Sequence, residues 1–202
     1  HESPESIWLA NDMMESVQYY LLMASCEEAK EFGKAEDFDA SRYAKGWLPI
    51  DFHSALPSDI DFRYNHDWEF LRDLIQTHGL RNCTVSGQMP CESSSVTQSS
   101  TNGTEPIRSL MTEKIAKNGV KKVLVPNYPK HKKSYILAWD MPSNTNSIKI
   151  AGAMQRWIDM GMSFNTYLNY SHYGDGEIPI AVVVQDILTA HKYGLRTMYY
   201  NN

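Results

Sequence analysis

At 202 residues, with 42% hydrophobic and 21% charged side chains, the chain is long enough to bury a sizeable core and has an ordinary globular composition. A net charge of −5 leaves no basic footprint for nucleic acid, and the longest lysine-rich stretch, Lys130 to Lys133, reads as a solvated turn. No apolar run approaches the roughly 18 residues of a membrane span and no signal-peptide pattern opens the chain, so a cytoplasmic protein that binds neither nucleic acid nor membrane is expected.

Cys26, Cys83 and Cys91 are odd in number and lack CxxC spacing, which argues against a zinc site or redox dithiol and for reduced thiols. No metal ligand set is expected. The N-x-S/T triplets at Asn82, Asn102 and Asn169 matter only in a secreted chain and are read as coincidence. The sequence opens at His1 directly on helix signals, which suggests a processed start or a piece of something larger.

In chain order, Ser3-Pro4-Glu5 offers a helix start and Gly33 a stop. Ile7, Ala10, Met14, Val17, Leu21 and Ala24 recur between them at helical spacing, predicting one long amphipathic helix over 1–33 with its methionines and tyrosines in the core. Residues 34–66 lose periodicity and read as an irregular surface connection with a positional role. Asp67 caps a second helix through Trp68, Leu71, Leu74 and Ile75, closed by His78-Gly79, and Leu80 to Gly87 is expected to be a short strand.

A proline-broken loop, Gln88 to Ser95, follows, and Ser94 to Ser100 suggests the first turns of a short helix. Two runs flanking Asn118-Gly119, about 110–117 and 120–126, predict a β-hairpin. Ser147 to Met160 reads as a helix with Ile148, Ala151, Met154 and Ile158 on one side, and Met162 to Leu168 as a strand. Pro179 starts a last helix whose apolar face is Ile180, Val183, Ile187 and Leu188; Gly194 stops it, and Leu195 to Tyr200 forms a β-run. Strand, helix and strand make a β-α-β unit, so the fold class is α/β with parallel pairing, and ligands are expected beyond the carboxyl ends of the strands.

Two features fall at such ends. Pro90-Cys91-Glu92-Ser93-Ser94-Ser95 places hydroxyls and backbone N–H groups where a short helix begins, which suits phosphate oxygens without any lysine. The competing reading is a capping loop whose serines satisfy the helix's own donors, and a third makes Cys91 a nucleophile activated at the helix end. Tyr199-Tyr200, by itself, reads as core or interface packing. Neighbours on a regular strand point to opposite faces, so the two rings can stack only where the strand becomes irregular.

His78-Gly79-Leu80-Arg81-Asn82, Met89-Pro90-Cys91-Glu92-Ser93-Ser94-Ser95, Thr101-Asn102-Gly103-Thr104-Glu105-Pro106-Ile107-Arg108 and Thr197-Met198-Tyr199-Tyr200-Asn201 resemble, in order and spacing, successive motifs of the class Ia ribonucleotide reductase large catalytic subunit. Weaker similarity, including Val17 to Leu22 and Tyr43-Ala44-Lys45-Gly46, extends over nearly the whole chain. The resemblance implies the C-terminal part of a ten-stranded α/β barrel, with 67–202 supplying barrel strands and helices.

It also implies that Pro90, Cys91, Glu92, Ser93 and Ser94 belong to a loop that holds the diphosphate of a ribonucleoside diphosphate. Many relatives have serine or threonine where this chain has Cys91, and a thiol is the weaker donor. Tyr199 and Tyr200 match a stacked pair that relays a radical, with Tyr200 the outer member. The radical would come from a di-iron or related small subunit, and no cofactor would be bound by this chain. The radical cysteine, the reducing dithiol and the allosteric nucleotide sites would lie on an N-terminal portion, upstream of His1 in the family pattern. A thioredoxin- or glutaredoxin-type reductant would act through a tail beyond Asn202. Cys26 and Cys83 match no family role and are expected to be ordinary buried thiols. The reading is a naturally split or cleaved subunit, inactive alone and poorly soluble without its complement. A non-catalytic assembly module and a self-contained phosphate-sugar enzyme using Cys91 are the alternatives.

Overall fold

A computed structural model describes residues 3–55, 63–91, 93–116 and 119–202, the side chains of 53–55, 114 and 116 excepted. Helix α1 (Glu5–Phe32) starts just after Ser3 and stops at Gly33, whose φ of +82° a side chain rarely tolerates and whose N–H closes on Ala29 O at 2.9 Å. The helix is where the sequence placed it, but its buried face is not. Ile7 is buried as expected, whereas Val17 and Leu21 are exposed, and the rest of the buried stripe is Asn11, Glu15, Gln18, Tyr19, Leu22, Ser25, Cys26 and Ala29. Met13 and Tyr20 also lie exposed. Asn11, Glu15 and Gln18 made this stripe look like a solvent face. Each finds a partner inside: Glu15 accepts from Asn65 N (2.8 Å) and Trp68 Nε1 (3.0 Å), Asn11 from Trp157 Nε1 (2.9 Å), and Gln18 donates to Asp159 (3.0 Å), although its Oε1 accepts from none of the described residues.

Residues 34–55 form 3-10 turns at 38–40, 43–45 and 49–55 and are irregular as predicted; residues 56–62 lie outside the described residues. The segment is more than a surface connection, because Phe38, Tyr43 and Leu48 are buried in the core. Helix α2 (Trp68–His78) keeps its predicted cap, with Phe70 N donating to Asp67 Oδ1 at 2.9 Å, and inserts Trp68, Leu71 and Ile75 into the same core. Burying each of these contributes roughly 1.5–3 kcal/mol. Leu80 to Gly87 bends at Arg81 and Cys83 and joins no ladder among the described residues, contrary to expectation. Its backbone bonds instead to scattered partners: Arg81 N to Ser25 O (3.0 Å), Val85 N to Asp159 Oδ2 (2.7 Å), and Ser86 O from Met160 N (3.3 Å).

Helix α3 (Ser94–Thr97) is a single turn. Strands β1 (Met111–Ala116) and β2 (Gly119–Leu124) form the predicted antiparallel hairpin, with Ala116 opposite Gly119, so Gly119 stands in the ladder; Lys117 and Asn118 lie outside the described residues. Helix α4 (Tyr128–His131) is a further single turn. Helix α5 (Thr145–Gln155) ends five residues before the expected Met160, but its predicted face, Ile148, Ala151 and Met154, is buried, as is Ile158 beyond it. At Gly152 a Cβ would lie 2.5 Å from Tyr193 O, so only glycine lets α5 approach that turn so closely.

Helix α6 (Ile180–Lys192) corrects a second face. Ile180, Ile187 and Leu188 are exposed, and the helix buries Asp186, Thr189 and Ala190. Asn144 explains the buried acid: its Nδ2 donates to Asp186 Oδ2 (2.8 Å) while its Oδ1 accepts from Tyr167 N (3.0 Å). α6 connects two extended segments that run parallel, with an isolated bridge between Thr166 and Asn201. Thr166 N donates to Tyr200 O (2.9 Å), Asn202 N to Thr166 O (2.9 Å) and Leu168 N to Asn202 O (2.8 Å). This is the expected β-α-β connection, shorter than the predicted strands. No barrel closure is formed among the described residues, whose one ladder is the hairpin.

The core has two lobes. One gathers Ile7, α5, Phe164, Ala190 and Leu195. The other gathers the second half of α1, α2 and Trp157, whose indole stacks on Trp68 at 5.2 Å. α1 lies against both α2 and α5, and so joins them.

Candidate functional site

The loop after Pro90 is closed by backbone and side chain together. Cys91 N donates to Asn102 O (2.7 Å), Ser95 N to Cys91 O (3.1 Å), and Ser100 N to Ser95 O (2.9 Å). The Ser95 hydroxyl is buried and donates to Asn102 Oδ1 (2.9 Å), so it secures the loop rather than facing a ligand. Ser93 and Ser94 are exposed, and Ser93 makes no capping bond to α3 through its side chain. The capping reading therefore loses its acceptor. α3 is only four residues long, so its dipole adds little to anion binding, and the exposed hydroxyls are the main resource. Glu92 lies outside the described residues.

Cys91 is exposed and its thiol points to Met89 O at 3.4 Å. Cys26 is buried, which pushes its thiol up, as expected of an inert core cysteine. Cys83 is only half-buried, which corrects the expectation of a buried thiol. Among the described residues no cluster of three or more His, Cys, Asp or Glu is arranged to hold a metal ion, and no helix is long and apolar enough to cross a membrane.

Tyr199 and Tyr200 break the regular register. Extended back from the Thr166–Asn201 bridge, the parallel pattern assigns Phe164 O to Tyr200 N, yet Tyr199 N takes that oxygen at 2.8 Å. One extra residue is thus accommodated, a bulge that removes the usual alternation of faces. The two rings consequently sit side by side, 4.3 Å between centroids and 56° between planes. Both are largely exposed, and a side-chain hydrogen bond with Tyr199 raises the Tyr200 phenol above its ordinary value.

A cavity of about 540 Å³ spans both features. Pro90, Ser95 and Asn102 line one part, Tyr199 and Tyr200 another, with Glu105, Arg108 and Asn165 also in its wall. Cys91, Ser93 and Ser94 lie beside it on the exposed loop and not in its lining. Arg108 is the cationic side chain of the wall. Asn102, Glu105 and Arg108 carried a signal in the Thr101–Arg108 motif, whereas nothing in the sequence singled out Asn165, whose role depends on residues 60 and 35 positions away.

Residues 1–201 match the family described as ribonucleotide reductase, barrel domain. The chain is 43% identical over 195 residues to the ribonucleoside-diphosphate reductase 1 subunit alpha of Salmonella typhimurium, covering 96% of this chain and 26% of that protein. It is 44% identical over 198 residues to the subunit alpha of Haemophilus influenzae, and 34% identical over 197 residues to that of Enterobacteria phage T4, with the same coverage. The chain spans about a quarter of the length of the curated relatives it matches.

Proposed function

The chain belongs to the ribonucleotide reductase family, as a C-terminal portion of the class Ia large-subunit barrel domain, and from that premise we propose that it supplies the substrate diphosphate loop and the radical-transfer tyrosines for reducing ribonucleoside diphosphates. The observation that carries the proposal is the one cavity shared by the Pro90 loop and the tyrosine pair. Within the ten-stranded barrel of the family, the segments at 80–87, 164–168 and 199–202 would take the places of strands, the last two already side by side.

Exposed hydroxyls of Ser93 and Ser94, with the loop's backbone N–H groups, bind the diphosphate; Pro90 shapes the turn, Glu92 contributes its N–H, and Cys91, whose N–H is taken by Asn102 O, anchors the loop. The loop is kept in shape by Asn102. Tyr200 faces the radical-generating small subunit, whose di-iron or related centre supplies the oxidising equivalent. Oxidised Tyr200 takes one electron and one proton from Tyr199, which restores the Tyr200 phenol and leaves Tyr199 oxidised. A phenol with an ordinary pKa near 10 is protonated at neutral pH, so electron and proton must move together, and the hydrogen bond between the rings is the proton's path. Tyr199 then oxidises a cysteine elsewhere in the large subunit, and that thiyl attacks the ribose. The allosteric nucleotides and a thioredoxin- or glutaredoxin-type reductant act on other parts of that subunit.

The remaining large-subunit sequence, whether joined to this chain or arriving as a separate polypeptide, completes the site. Exposed apolar side chains on α1 (Trp8, Leu9, Met13, Leu21), on α6 (Ile180, Ile187, Leu188) and on the hairpin (Ile115, Val120) support that requirement. Free thiols at all three cysteines suit a cytoplasmic setting. A self-contained enzyme using Cys91 is disfavoured, because the thiol bonds to Met89 O and among the described residues no histidine or other base is bonded to it. Assembly with the rest of the large subunit and a small subunit tests the proposal: the complex should reduce a nucleoside diphosphate, and a verified complex with no such activity would refute it.

A further inference from the structure

We propose that Asn165, buttressed by Glu105, is the positioning residue that holds Tyr200 against Tyr199; the inference rests on the relay reading and deepens it. The bulge hands Phe164 O to Tyr199 N and so deprives Tyr200 N of its ladder acceptor. A backbone donor left without an acceptor is costly, and the side chain of Asn165 meets the need, its Oδ1 accepting from Tyr200 N at 3.2 Å. Asn165 therefore favours the bulged register over the regular one, in which the two rings would point to opposite faces.

The amide has one orientation that suits this role. Glu105 Oε1 accepts from Asn165 Nδ2 (3.0 Å) and from Asn165 N (3.1 Å), and a carboxylate only accepts, so Nδ2 faces Glu105 and Oδ1 is turned to Tyr200. Gly103 leaves room for this carboxylate, since a Cβ there would lie 2.6 Å from Glu105 Oε2. Glu105, Asn165 and Tyr200 are thus linked by consecutive hydrogen bonds. Neither Asn165 nor Glu105 exchanges an electron in this scheme; they fix the distance across which the electron and proton move.

The test uses the complete reductase, with both parts of the large subunit and the small subunit. Asn165→Ala should lower kcat about ten- to a hundredfold, the scale of a misplacement of about 1 Å, with KM for the diphosphate substrate within about twofold. In tyrosine labelled at the phenolic carbon, the Tyr200 resonance should titrate closer to an ordinary phenol than in the parent, because the hydrogen bond with Tyr199 is weakened. A purely structural role would lower thermal stability without this selective shift. Asn165→Asp preserves size but sets two acceptors face to face and should also lose turnover. Unchanged kcat and Tyr200 titration in Asn165→Ala overturns the inference while leaving the relay intact, provided Tyr200→Phe is inactive. Normal turnover in Tyr200→Phe would instead remove the relay, and the inference with it.

Discussion

The Ser95 hydroxyl donates to Asn102 Oδ1 at 2.9 Å, and the carbonyl of the same asparagine receives Cys91 N at 2.7 Å. This divides the serine cluster by role. Ser93→Ala with Ser94→Ala should weaken diphosphate binding by roughly tenfold or more, the loss of two hydrogen bonds to a charged ligand, with little change in stability. Ser95→Ala should do the reverse, costing about 1 kcal/mol of stability. Titration calorimetry with a nucleoside diphosphate and thermal melting separate the two.

Glu15 gives a prediction for the core. Buried on α1, it accepts from Asn65 N, Asn65 Nδ2, His66 N and Trp68 Nε1. Glu15→Gln turns a donor toward donors already in place, and the loss should be at least about 1.5–3 kcal/mol, the value of a hydrogen bond to a charged group. Chemical denaturation of parent and variant reads it directly.

Asp186 predicts a pH dependence. Burial raises its carboxyl above the usual value, and the Asn144 hydrogen bond only partly opposes this. A raised folded pKa contributes stability that is full below the unfolded value of about 3.9 and is lost as pH rises through the folded value. At neutral pH the ionised group is therefore a net cost. Asp186→Asn, which still accepts from Asn144, should raise the thermal midpoint at pH 7, and the gain should shrink as pH falls toward 4.

The apolar faces of α1, α6 and the hairpin predict behaviour of the chain alone. It should bind a hydrophobic dye strongly and self-associate, and the dye signal should fall when the rest of the large subunit is added. Equal dye binding before and after assembly would place the complement elsewhere.

Local chemistry was legible in the sequence and long-range chemistry was not. Asp67 as a cap, Gly33 and Gly79 as stops, the hairpin and the β-α-β connection all depend on neighbours within a few positions. The buried faces of α1 and α6 were misread because Asn11, Glu15, Gln18 and Asp186 look solvated until Trp157, Trp68, Asp159 and Asn144 arrive from 42 to 146 residues away. The strand expected over 80–87 has the right composition, but a ladder needs a neighbour and the described residues offer it none. The site divides the same way. Pro90 and the tyrosine pair carried motifs, and the requirement for an irregular strand at Tyr199-Tyr200 followed from alternation alone. That Asn165 and Glu105 meet there depends on the folded path of the chain.

The central claim is that one end of the cavity binds substrate while the other conducts the oxidising equivalent. Turnover and nucleoside diphosphate affinity of Tyr200→Phe, measured side by side in the assembled reductase, test it most directly. A phenylalanine keeps a ring beside Tyr199 and removes the hydroxyl that hydrogen-bonds to it, the group proposed to exchange the proton. Turnover should fall to background with the dissociation constant for the diphosphate unchanged; turnover at the parent rate would contradict the relay.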